Sequence, residues 1–478
     1  MSTALDPVSV YADGLVGRAR DAARAFADFD QAAVDRIVRA VFEAAYGARM
    51  HLARLACDET GMGRYEHKVI KNAYASLLVY EDIRETKTVG EIHVDVLRGI
   101  TQIAQPKGPI LGTVPVTNPT STAIFKALIC MKTRNPLILS PHRGARKCVK
   151  ETVRILAEAA EGAGAPPHAI QMMTHGQPEY VERVMKHRGL AMIVATGTRS
   201  IVEVAQRSGT PTLGVGPGNV PVYVHATADL DLAARSIVYS KTFDNGTVCA
   251  SEQALVVERD VAARLDALLA ARGAYLCTAA EAAALGPVCF DADQGRMRPE
   301  MVGQPAAVIA ARAGFGIPDG TRLLIAEPAG VGPEHPLSNE LLMPVLAYYR
   351  CASYDEALAV CRAVNKRGGV GHTVGVYAND DRVINDFARM DAARILVNTP
   401  CTQGAIGGIS NTLRPSLSLG CGAGAGNMTT DNVSIDHLLN IHRVAKLRQN
   451  PRWLRTLETT LDESVGPAEI LALYNRNY

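Results

Sequence analysis

The stretch GPILGTVPVTNPTSTAIFKALICMKTRNPLILSP, residues 108–141, contains two short apolar runs on either side of a helix-like segment. Each apolar run has the length of a buried strand. The segment between them starts at an Asn-Pro-Thr-Ser cluster, which is typical of a helix N-terminus. Strand, helix and strand in this order predict a parallel sheet that is covered by helices.

The same alternation continues in both directions along the chain. After residue 141 we expect a helix over GARKCVKETVRILAEAAEGAG and strands at AIQMMT and LAMIVATG. A second series begins after Cys249, with the strands ALVVE, TRLLIAE, VLAYYR, HTVGVYA and ARILVNT and the helix SYDEALAVCRAVNKR. The pattern therefore predicts an α/β fold with two strand-and-helix series and a domain boundary close to Lys241.

Three other segments have different patterns. Residues 9–85 place apolar positions three and four apart, as in amphipathic helices. The sequence EIHVDVLRGITQI, residues 91–103, predicts two extended segments bent near Gly99, as in a hairpin or a crossing arm. Residues 454–478 are predicted to form a C-terminal helical tail.

The composition excludes several classes of function. The 478 residues have a formal net charge of +2 without a basic stripe, so we expect no nucleic-acid partner. The ten cysteines show no C-x-x-C pair, which favours reduced cytosolic thiols and argues against a structural metal. No apolar run reaches the roughly 18 to 20 residues of a membrane span. We expect a soluble, cytoplasmic protein without a membrane anchor.

Cys249 lies in KTFDNGTVCASEQALVVE, residues 241–258, between a loop of small polar residues and a predicted strand. Most free cysteines are buried packing residues, and that interpretation applies here as well. The alternative is a nucleophile, because the Asn-Gly turn and the small residues would let a substrate approach the thiol. Such a thiol would need activation, since an unperturbed cysteine is largely protonated at neutral pH.

Asn118 follows a predicted strand and precedes the helix start. An Asn before Pro is usually a turn residue. In the functional alternative, its side-chain amide donates to the oxyanion that forms when a thiolate attacks an aldehyde, together with the backbone N–H of Cys249.

A glycine-rich segment, TLGVGPGNVPVYV, could suggest a nucleotide-binding loop. The dinucleotide fingerprint requires a helix after the glycines, whereas an apolar strand follows here, so the assignment fails. The sequence IVATGTRSIVEVA fits better as strand, turn and helix. It would place Gly197 and Thr198 at a helix N-terminus that can face a pyrophosphate.

Taken together, these motifs resemble the CoA-acylating aldehyde dehydrogenases, including the aldehyde dehydrogenase half of bifunctional alcohol/aldehyde dehydrogenases and the separate acetaldehyde, propionaldehyde and sulfoacetaldehyde enzymes. The resemblance covers about residues 10 to 453. The segments that carry it, in chain order, are PVTNPTSTAIFKALICMKTRNPLILSPH, VATGT, GVGPGNVPV, KTFDNGTVCASEQ, NELLMPVLAYY, GGVGHT, ARILVNTP and PSLSLGCG.

The resemblance implies an aldehyde dehydrogenase fold that forms a homo-oligomer. Its parts would be a cofactor-binding domain over residues 1–240, a catalytic domain over residues 241–424, and an oligomerisation arm built from residues 91–105 and 425–453. NAD or NADP would be the cofactor, coenzyme A the co-substrate and a small aldehyde the substrate. Cys249 would be the nucleophile and Asn118 the oxyanion donor. The implied cofactor-binding residues are Ser140, Pro141, His142, Gly197, Thr198, Glu340 and Leu419.

The chain departs from the hydrolytic members of the superfamily. The resemblance aligns Val215 with the position of their general base, a Glu, and without that base water is poorly activated. A second thiol, that of coenzyme A, then becomes the natural acyl acceptor. His372 is typical of the acylating branch, with a role in ligand handling or in structure. A hydrolytic dehydrogenase, an acyl-phosphate reductase and an idle scaffold with a packing thiol are the alternatives.

Arg414 and Asn411 lie in SNTLRPSLSLG, the loop that in this family runs beside the substrate tunnel. One interpretation is a surface arginine. The other is an unneutralised guanidinium that, with the Asn and hydroxyl donors, selects a two-carbon aldehyde with an anionic head such as a sulfonate. Sulfoacetaldehyde is therefore a candidate substrate beside acetaldehyde.

Overall fold

The computed structural model describes residues 6–476. The α-helices are α1 Pro7–Ala27, α2 Gln31–Gly47, α3 Arg49–Thr60, α4 Tyr65–Ala73, α5 Val79–Ile83, α6 Pro119–Lys132, α7 Arg146–Gly162, α8 Pro178–Met185, α9 Arg199–Arg207, α10 Leu230–Thr242, α11 Arg259–Ala270, α12 Ala279–Cys289, α13 Ala306–Arg312, α14 Tyr354–Gly368, α15 Asp381–Ala388, α16 Cys401–Ile406, α17 Pro451–Thr456 and α18 Pro467–Asn475.

The strands are β1 Gly90–Asp95, β2 Ile100–Pro106, β3 Ile110–Val114, β4 Leu137–Pro141, β5 Ile170–Met172, β6 Met192–Thr196, β7 Thr212–Val215, β8 Val220–Val224, β9 Glu252–Glu258, β10 Ala274–Leu276, β11 Phe290–Asp291, β12 Arg296–Met297, β13 Leu323–Ala326, β14 Val345–Cys351, β15 Gly371–Tyr377, β16 Ala392–Val397 and β17 Leu439–Ala445. Every strand named in the sequence analysis forms, as do α6, α7 and α14. The predicted α/β class is thereby confirmed.

The first sheet has five parallel strands in the order β5-β4-β3-β6-β7. All residues of β3 and β4 are buried, as expected for strands covered by helices on both faces. The chain starts at β3 in the middle, moves outward through β4 and β5, and then returns to add β6 on the other side of β3. The carboxyl ends of β3 and β6 therefore flank a topological switch point, where sheets of this kind bind ligands.

The second sheet has seven parallel strands in the order β10-β13-β14-β9-β8-β15-β16. It includes β8, so the chain passes from one sheet to the other between Val215 and Val220. The domain boundary predicted near Lys241 lies about twenty residues after this change of sheet. The apolar run VPVYV predicts a strand, but it contains no information about which strands will pair with it.

The larger of two compact units contains both of these sheets and comprises residues up to Thr86 and from Pro106 to Leu439. The larger unit includes residues 425–439, which were predicted to belong to the oligomerisation arm. The smaller unit comprises 87–105 and the chain from Asn440 onward. No helix among residues 6–476 combines the length and the apolarity that a membrane span requires.

The smaller unit contains a three-stranded sheet. β1 and β2 pair antiparallel across the turn at Gly99, where φ is +64°, so the predicted bend is confirmed. β17 adds the third strand to this sheet. The predicted tail, residues 454–478, contains the second half of α17 and all of α18. Asn450, the N-cap residue of α17, donates a hydrogen bond of 3.0 Å to the hydroxyl of Tyr474 on α18.

Candidate active site

The loop that carries Cys249 turns sharply between α10 and β9. Asp244, Asn245 and Gly246 all have left-handed backbone conformations, with φ of +50°, +52° and +75°. A Cβ atom at Gly246 would lie 2.7 Å from the carbonyl oxygen of Met343, so only glycine fits at this position. This compact turn sets the thiol at the start of β9 rather than inside the strand.

Cys249 is half-buried, and its sulfur lies 3.3 Å from Nε2 of His372. Burial raises the pKa of the thiol to about 12, and the nearby carboxyl group of Glu340 contributes in the same direction. The thiol is therefore protonated at neutral pH. It needs a base before it can act as a nucleophile.

His372 is fully buried, and Thr373 and Arg394 fix its position. Its Nδ1 lies 2.9 Å from the hydroxyl oxygen of Thr373, which accepts a hydrogen bond from Arg394 at 3.3 Å. Arg394 also donates to the carbonyl oxygen of His372 at 3.0 Å. Burial, and then the charge of Arg394, keep the pKa of His372 well below its ordinary value. The ring is thus a neutral imidazole, and a lone pair on Nε2 can accept the thiol proton.

Gly218 makes this close arrangement possible. A Cβ atom at this position would lie 2.7 Å from the carbonyl oxygen of Cys249 and 2.8 Å from Cγ of His372. The glycine-rich segment that does not fit the dinucleotide fingerprint therefore has a packing role beside the thiol.

Asn118 is the N-cap residue of α6 and faces the Cys249 loop. Its Nδ2 donates to the hydroxyl of Thr117 at 3.0 Å and lies 3.4 Å from the carbonyl oxygen of Thr247. Thr247 is two residues before Cys249. The structure thus brings Asn118 to the loop of the predicted nucleophile.

A buried cluster of charges that the sequence analysis missed joins α4 to this loop. The carboxylate of Asp244 accepts hydrogen bonds from the ammonium groups of Lys68, at 3.1 Å, and of Lys71. It also accepts the backbone N–H of Arg64 at 2.7 Å and the hydroxyl of Thr247 at 2.8 Å. Burial opposes ionisation of Asp244, but the two lysines lower its pKa to about 2. The carboxylate is therefore ionised and fixes the turn.

Five of the residues predicted to bind the cofactor lie at the carboxyl edge of the first sheet. Ser140 and Pro141 end β4, and His142 follows them. Gly197 and Thr198 connect β6 to α9, and Thr198 does not cap the helix, because its hydroxyl bonds to that of Ser200 at 2.9 Å. The first N–H groups of α9 thus have no side-chain cap and remain available for an anion.

The carboxyl group of Glu340 lies near enough to the Cys249 thiol to raise the pKa of that thiol. This carboxyl group accepts the backbone N–H of Gly218 at 3.2 Å, and burial raises its pKa to about 7. Leu419 is only 3% exposed and packs in the apolar cluster against which Cys249 also packs. Val215 belongs to the same cluster and is 2% exposed, so this position offers no base for water.

The hypothesis about Arg414 rested on an unneutralised guanidinium, and that premise is wrong. Arg414 donates to the carboxylate of Asp82 at 3.0 Å and forms a second ion pair with Asp436. Asn411 is occupied as well, because its amide donates to the carbonyl oxygen of Gly404 at 2.9 Å and its Oδ1 accepts the N–H of Leu413. Asp82 lies 332 residues before Arg414 and Asp436 lies 22 residues after it, so neither ion pair could be recognised from the motif.

Comparison with known proteins places these features in context. The sequence model of the aldehyde dehydrogenase family matches residues 9–411. The bifunctional aldehyde-alcohol dehydrogenase AdhE of Escherichia coli K12 is 42% identical over 446 residues, which cover 92% of this chain and 50% of that protein. The chain thus spans about half the length of such bifunctional relatives. The acylating sulfoacetaldehyde dehydrogenase of Cupriavidus necator is 36% identical, over 90% of this chain and 88% of that protein.

Two solved structures of aldehyde dehydrogenases are similar to this chain over most of its length. An acetylating aldehyde dehydrogenase from Geobacillus thermoglucosidasius superposes with a TM-score of 0.90 at 42% identity, covering 92% of this chain and 98% of that one. A propionaldehyde dehydrogenase from Rhodopseudomonas palustris, solved with bound CoA and an acylated cysteine, superposes with a TM-score of 0.81 at 25% identity, covering 91% and 97%.

Proposed function

The chain belongs to the aldehyde dehydrogenase family, as its motifs indicated, and we propose that it oxidises a short aldehyde to the corresponding CoA thioester. The observation that carries the proposal is the 3.3 Å contact between the Cys249 thiol and the neutral imidazole of His372, on a loop that also faces the Asn118 amide. A nucleophile, a base and an oxyanion donor are the groups that acyl transfer through a cysteine requires.

The carboxyl edge of the first sheet fits a nicotinamide dinucleotide. It lies at a topological switch point, and the uncapped N-terminus of α9 can bind the pyrophosphate next to Gly197 and Thr198. Ser140, Pro141 and His142 would border the adenosine ribose, and Glu340 would bind the ribose beside the nicotinamide. When bound, the nicotinamide ring supplies the hydride acceptor. We propose NAD or NADP as the cofactor, and a steady-state screen with each nicotinamide distinguishes the two.

We assign the first proton transfer to His372. Its Nε2 takes the S–H proton, and the sulfur of Cys249 then forms a bond to the carbonyl carbon of the aldehyde while the π electrons of the C=O bond move to oxygen. The Nδ2 group of Asn118 and the backbone N–H of Cys249 donate to this oxyanion. When the C=O bond re-forms, the former aldehyde hydrogen leaves as hydride, and Cys249 carries a thioester.

The same residues serve the second half-reaction. After its first proton has passed to solvent, His372 accepts the proton of the CoA thiol, whose sulfur attacks the thioester carbon. The two N–H donors hold the second oxyanion. The bond from carbon to Sγ of Cys249 breaks, and the thiolate recovers a proton from His372. The buried aliphatic side chain of Val215 supports CoA over water as the acceptor, and the CoA bound to the Rhodopseudomonas enzyme is consistent with this choice.

The substrate is proposed to be an aldehyde of two or three carbons. Acetaldehyde is the first candidate, because the 42% identical Geobacillus enzyme is acetylating. Sulfoacetaldehyde is the second, supported by the similarity to the Cupriavidus enzyme. The ion pairs of Arg414 mean that a sulfonate would have to be bound by other groups.

A steady-state screen tests the proposal. Acetaldehyde, propionaldehyde and sulfoacetaldehyde are each supplied with CoA and with NAD or NADP, and both the reduced nicotinamide and the thioester are quantified. We expect CoA-dependent turnover with ping-pong kinetics and no turnover by Cys249→Ala. Free acid formed without CoA would instead indicate a hydrolytic dehydrogenase, and turnover that requires phosphate would indicate an acyl-phosphate reductase. Substantial activity of Cys249→Ala would refute the mechanism.

We also propose a cytoplasmic location, which the ten unpaired cysteines support. Among the described residues, no group of three or more His, Cys, Asp or Glu side chains is placed to hold a metal ion.

A further inference from the structure

We propose that Lys71 is a positioning residue for the oxyanion donor: its ammonium group holds the Asn118 side chain in the orientation that directs Nδ2 toward the reacting carbonyl. The inference rests on the proposed function, because an oxyanion forms only if Cys249 attacks a carbonyl group. Lys71 lies on α4, outside both parallel sheets, and the sequence analysis gave it no role.

The three N–H bonds of the Lys71 ammonium group have three acceptors. Nζ donates to Oδ1 of Asn118 at 2.5 Å, to the hydroxyl of Thr247 at 2.9 Å, and to the carboxylate of Asp244. Only 1% of Lys71 is exposed, so water does not compete for these donors. The lysine side chain therefore has a fixed position between the α6 N-terminus and the Cys249 loop.

This contact determines which way the Asn118 amide faces. An ammonium group has donors and no acceptor, so the Asn118 atom next to it has to be the oxygen. The NH₂ group must then point the other way. One of its protons is bound by the hydroxyl of Thr117, at a distance of 3.0 Å. The other faces the carbonyl oxygen of Thr247 at 3.4 Å, a weak contact that an oxyanion can replace.

The contact also strengthens the donor. A positive charge bonded to the amide oxygen draws electron density away from nitrogen, which makes its remaining N–H a better hydrogen-bond donor. Asp244 balances the charge, so that a cation can stay in this buried position.

Lys68 provides a matched control. It lies one helical turn earlier on α4, is also buried, and pairs with the same carboxylate of Asp244 at 3.1 Å. Its second bond goes to the carbonyl oxygen of Thr117 at 3.2 Å, not to the Asn118 amide. Replacing either lysine removes one cation and leaves the other paired with Asp244. Only the replacement of Lys71 also removes the hydrogen bond to the Asn118 amide.

The experiment compares Lys71→Met and Lys68→Met in the complete chain, by kcat and KM for the best aldehyde of the screen. We expect kcat of Lys71→Met to fall about 100-fold, the usual effect of a misplaced catalytic group, with KM changed by less than about threefold. Lys68→Met should lose far less, although both variants lose thermal stability. Equal falls in kcat would overturn the proposal.

A double-mutant cycle with Asn118→Ala then isolates the coupling. If Lys71 acts through Asn118, adding Lys71→Met to Asn118→Ala should lower kcat no further. Multiplicative losses would overturn the positioning role. If the Met variant does not fold, Lys71→Gln replaces it, because the Gln amide keeps one N–H donor for Oδ1. The double variant Lys71→Gln with Asn118→Ala should then keep more activity than the product of the two single losses predicts.

A third measurement separates the amide from the thiol. Alkylation of Cys249 by iodoacetamide, corrected with Cys249→Ala, should slow far less than kcat in Lys71→Met. A parallel loss would assign Lys71 to the thiol and overturn the proposal. If the unmodified enzyme forms no thioester from any aldehyde, the proposed function and the inference both fail. Turnover with independent Lys71 and Asn118 effects removes the inference alone.

Discussion

Cys249 is held in its protonated form by burial, with the Glu340 carboxyl group nearby, and its pKa is raised to about 12. Because only the thiolate is alkylated, we predict that the rate of iodoacetamide labelling rises with pH from about 7 to about 10 without reaching a plateau. The labelled fraction is measured by mass spectrometry at a series of pH values.

Cys249→Ala is the control for labelling of the other nine cysteines. A plateau near neutral pH would mean that the thiolate is already formed in the resting enzyme and would contradict the role given to His372. Slow labelling at neutral pH does not identify an idle scaffold, since a thiol that waits for its base behaves in the same way.

His372 is the base to which this thiol has access. We predict that His372→Asn lowers kcat by two to four orders of magnitude, the usual contribution of general base catalysis. The side-chain amide of Asn has no basic nitrogen that could replace the Nε2 lone pair of His372, which faces the Cys249 sulfur at 3.3 Å. Stopped-flow measurement of nicotinamide reduction tests the first half-reaction directly.

The control is His51→Asn, which changes an exposed histidine on α3 and should leave kcat unchanged. A normal rate of nicotinamide reduction in His372→Asn, with only thioester release slowed, would restrict the base to the CoA step.

The sequence pointed to single candidate residues but not to the residues that contact them. Cys249 and Asn118 lie in motifs that are visible along the chain. Lys71 is 173 residues from Asp244 and Arg414 is 332 residues from Asp82, and such pairs depend on the tertiary fold. The two lysines one helical turn apart on α4 were the only local sign of a buried charge pair.

At the scale of elements, the glycine-rich segment between β7 and β8 packs against Cys249 and His372. We predict that Gly218→Ala lowers kcat and destabilises the fold by about 1 to 3 kcal/mol, because the added methyl group overlaps the Cys249 backbone and the His372 ring. Thermal unfolding and steady-state kinetics measure the two effects.

Gly216→Ala, two residues earlier, is the matched control. A Cβ atom there meets nothing within 4 Å, so this variant should resemble the unmodified enzyme. If the two variants behave alike, close packing at Gly218 does not position the thiol.

Elements themselves were predicted well, because apolar runs and helical periodicity are local properties. The run ILGTV is buried as β3 and the segment after Asn118 forms α6. The sheet to which β8 belongs could not be predicted, because strand pairing is decided by contacts between distant residues.

At the scale of the whole molecule, association into a homo-oligomer through the arm remains a proposal. Among the large apolar side chains described in the smaller unit, those of Leu97 and Leu447 are the most exposed, at 88% and 90%. Since exposed apolar groups of this size often mark interaction surfaces, we predict that Leu97→Asp with Leu447→Asp yields a smaller assembly. Light scattering after size exclusion measures the mass.

Val308→Asp is the control, because this exposed valine lies on α13 in the larger unit. A chain that is monomeric before any substitution, or an unchanged mass in the double variant, would contradict the proposed role of the arm.

The hydrogen bonds from α4 and its N-cap residue to Asp244 limit how segments of this chain can be exchanged with those of a related protein. The two parallel sheets could be taken for separable modules, one for the cofactor and one for the chemistry. Yet the turn before Cys249 is held by Arg64, Lys68 and Lys71, which precede both sheets in the chain. A chimera should therefore take its N-terminal helices and its Cys249 loop from the same protein, even when the first sheet comes from another protein. Those helices supply the groups that bind Asp244 and fix the conformation of the loop.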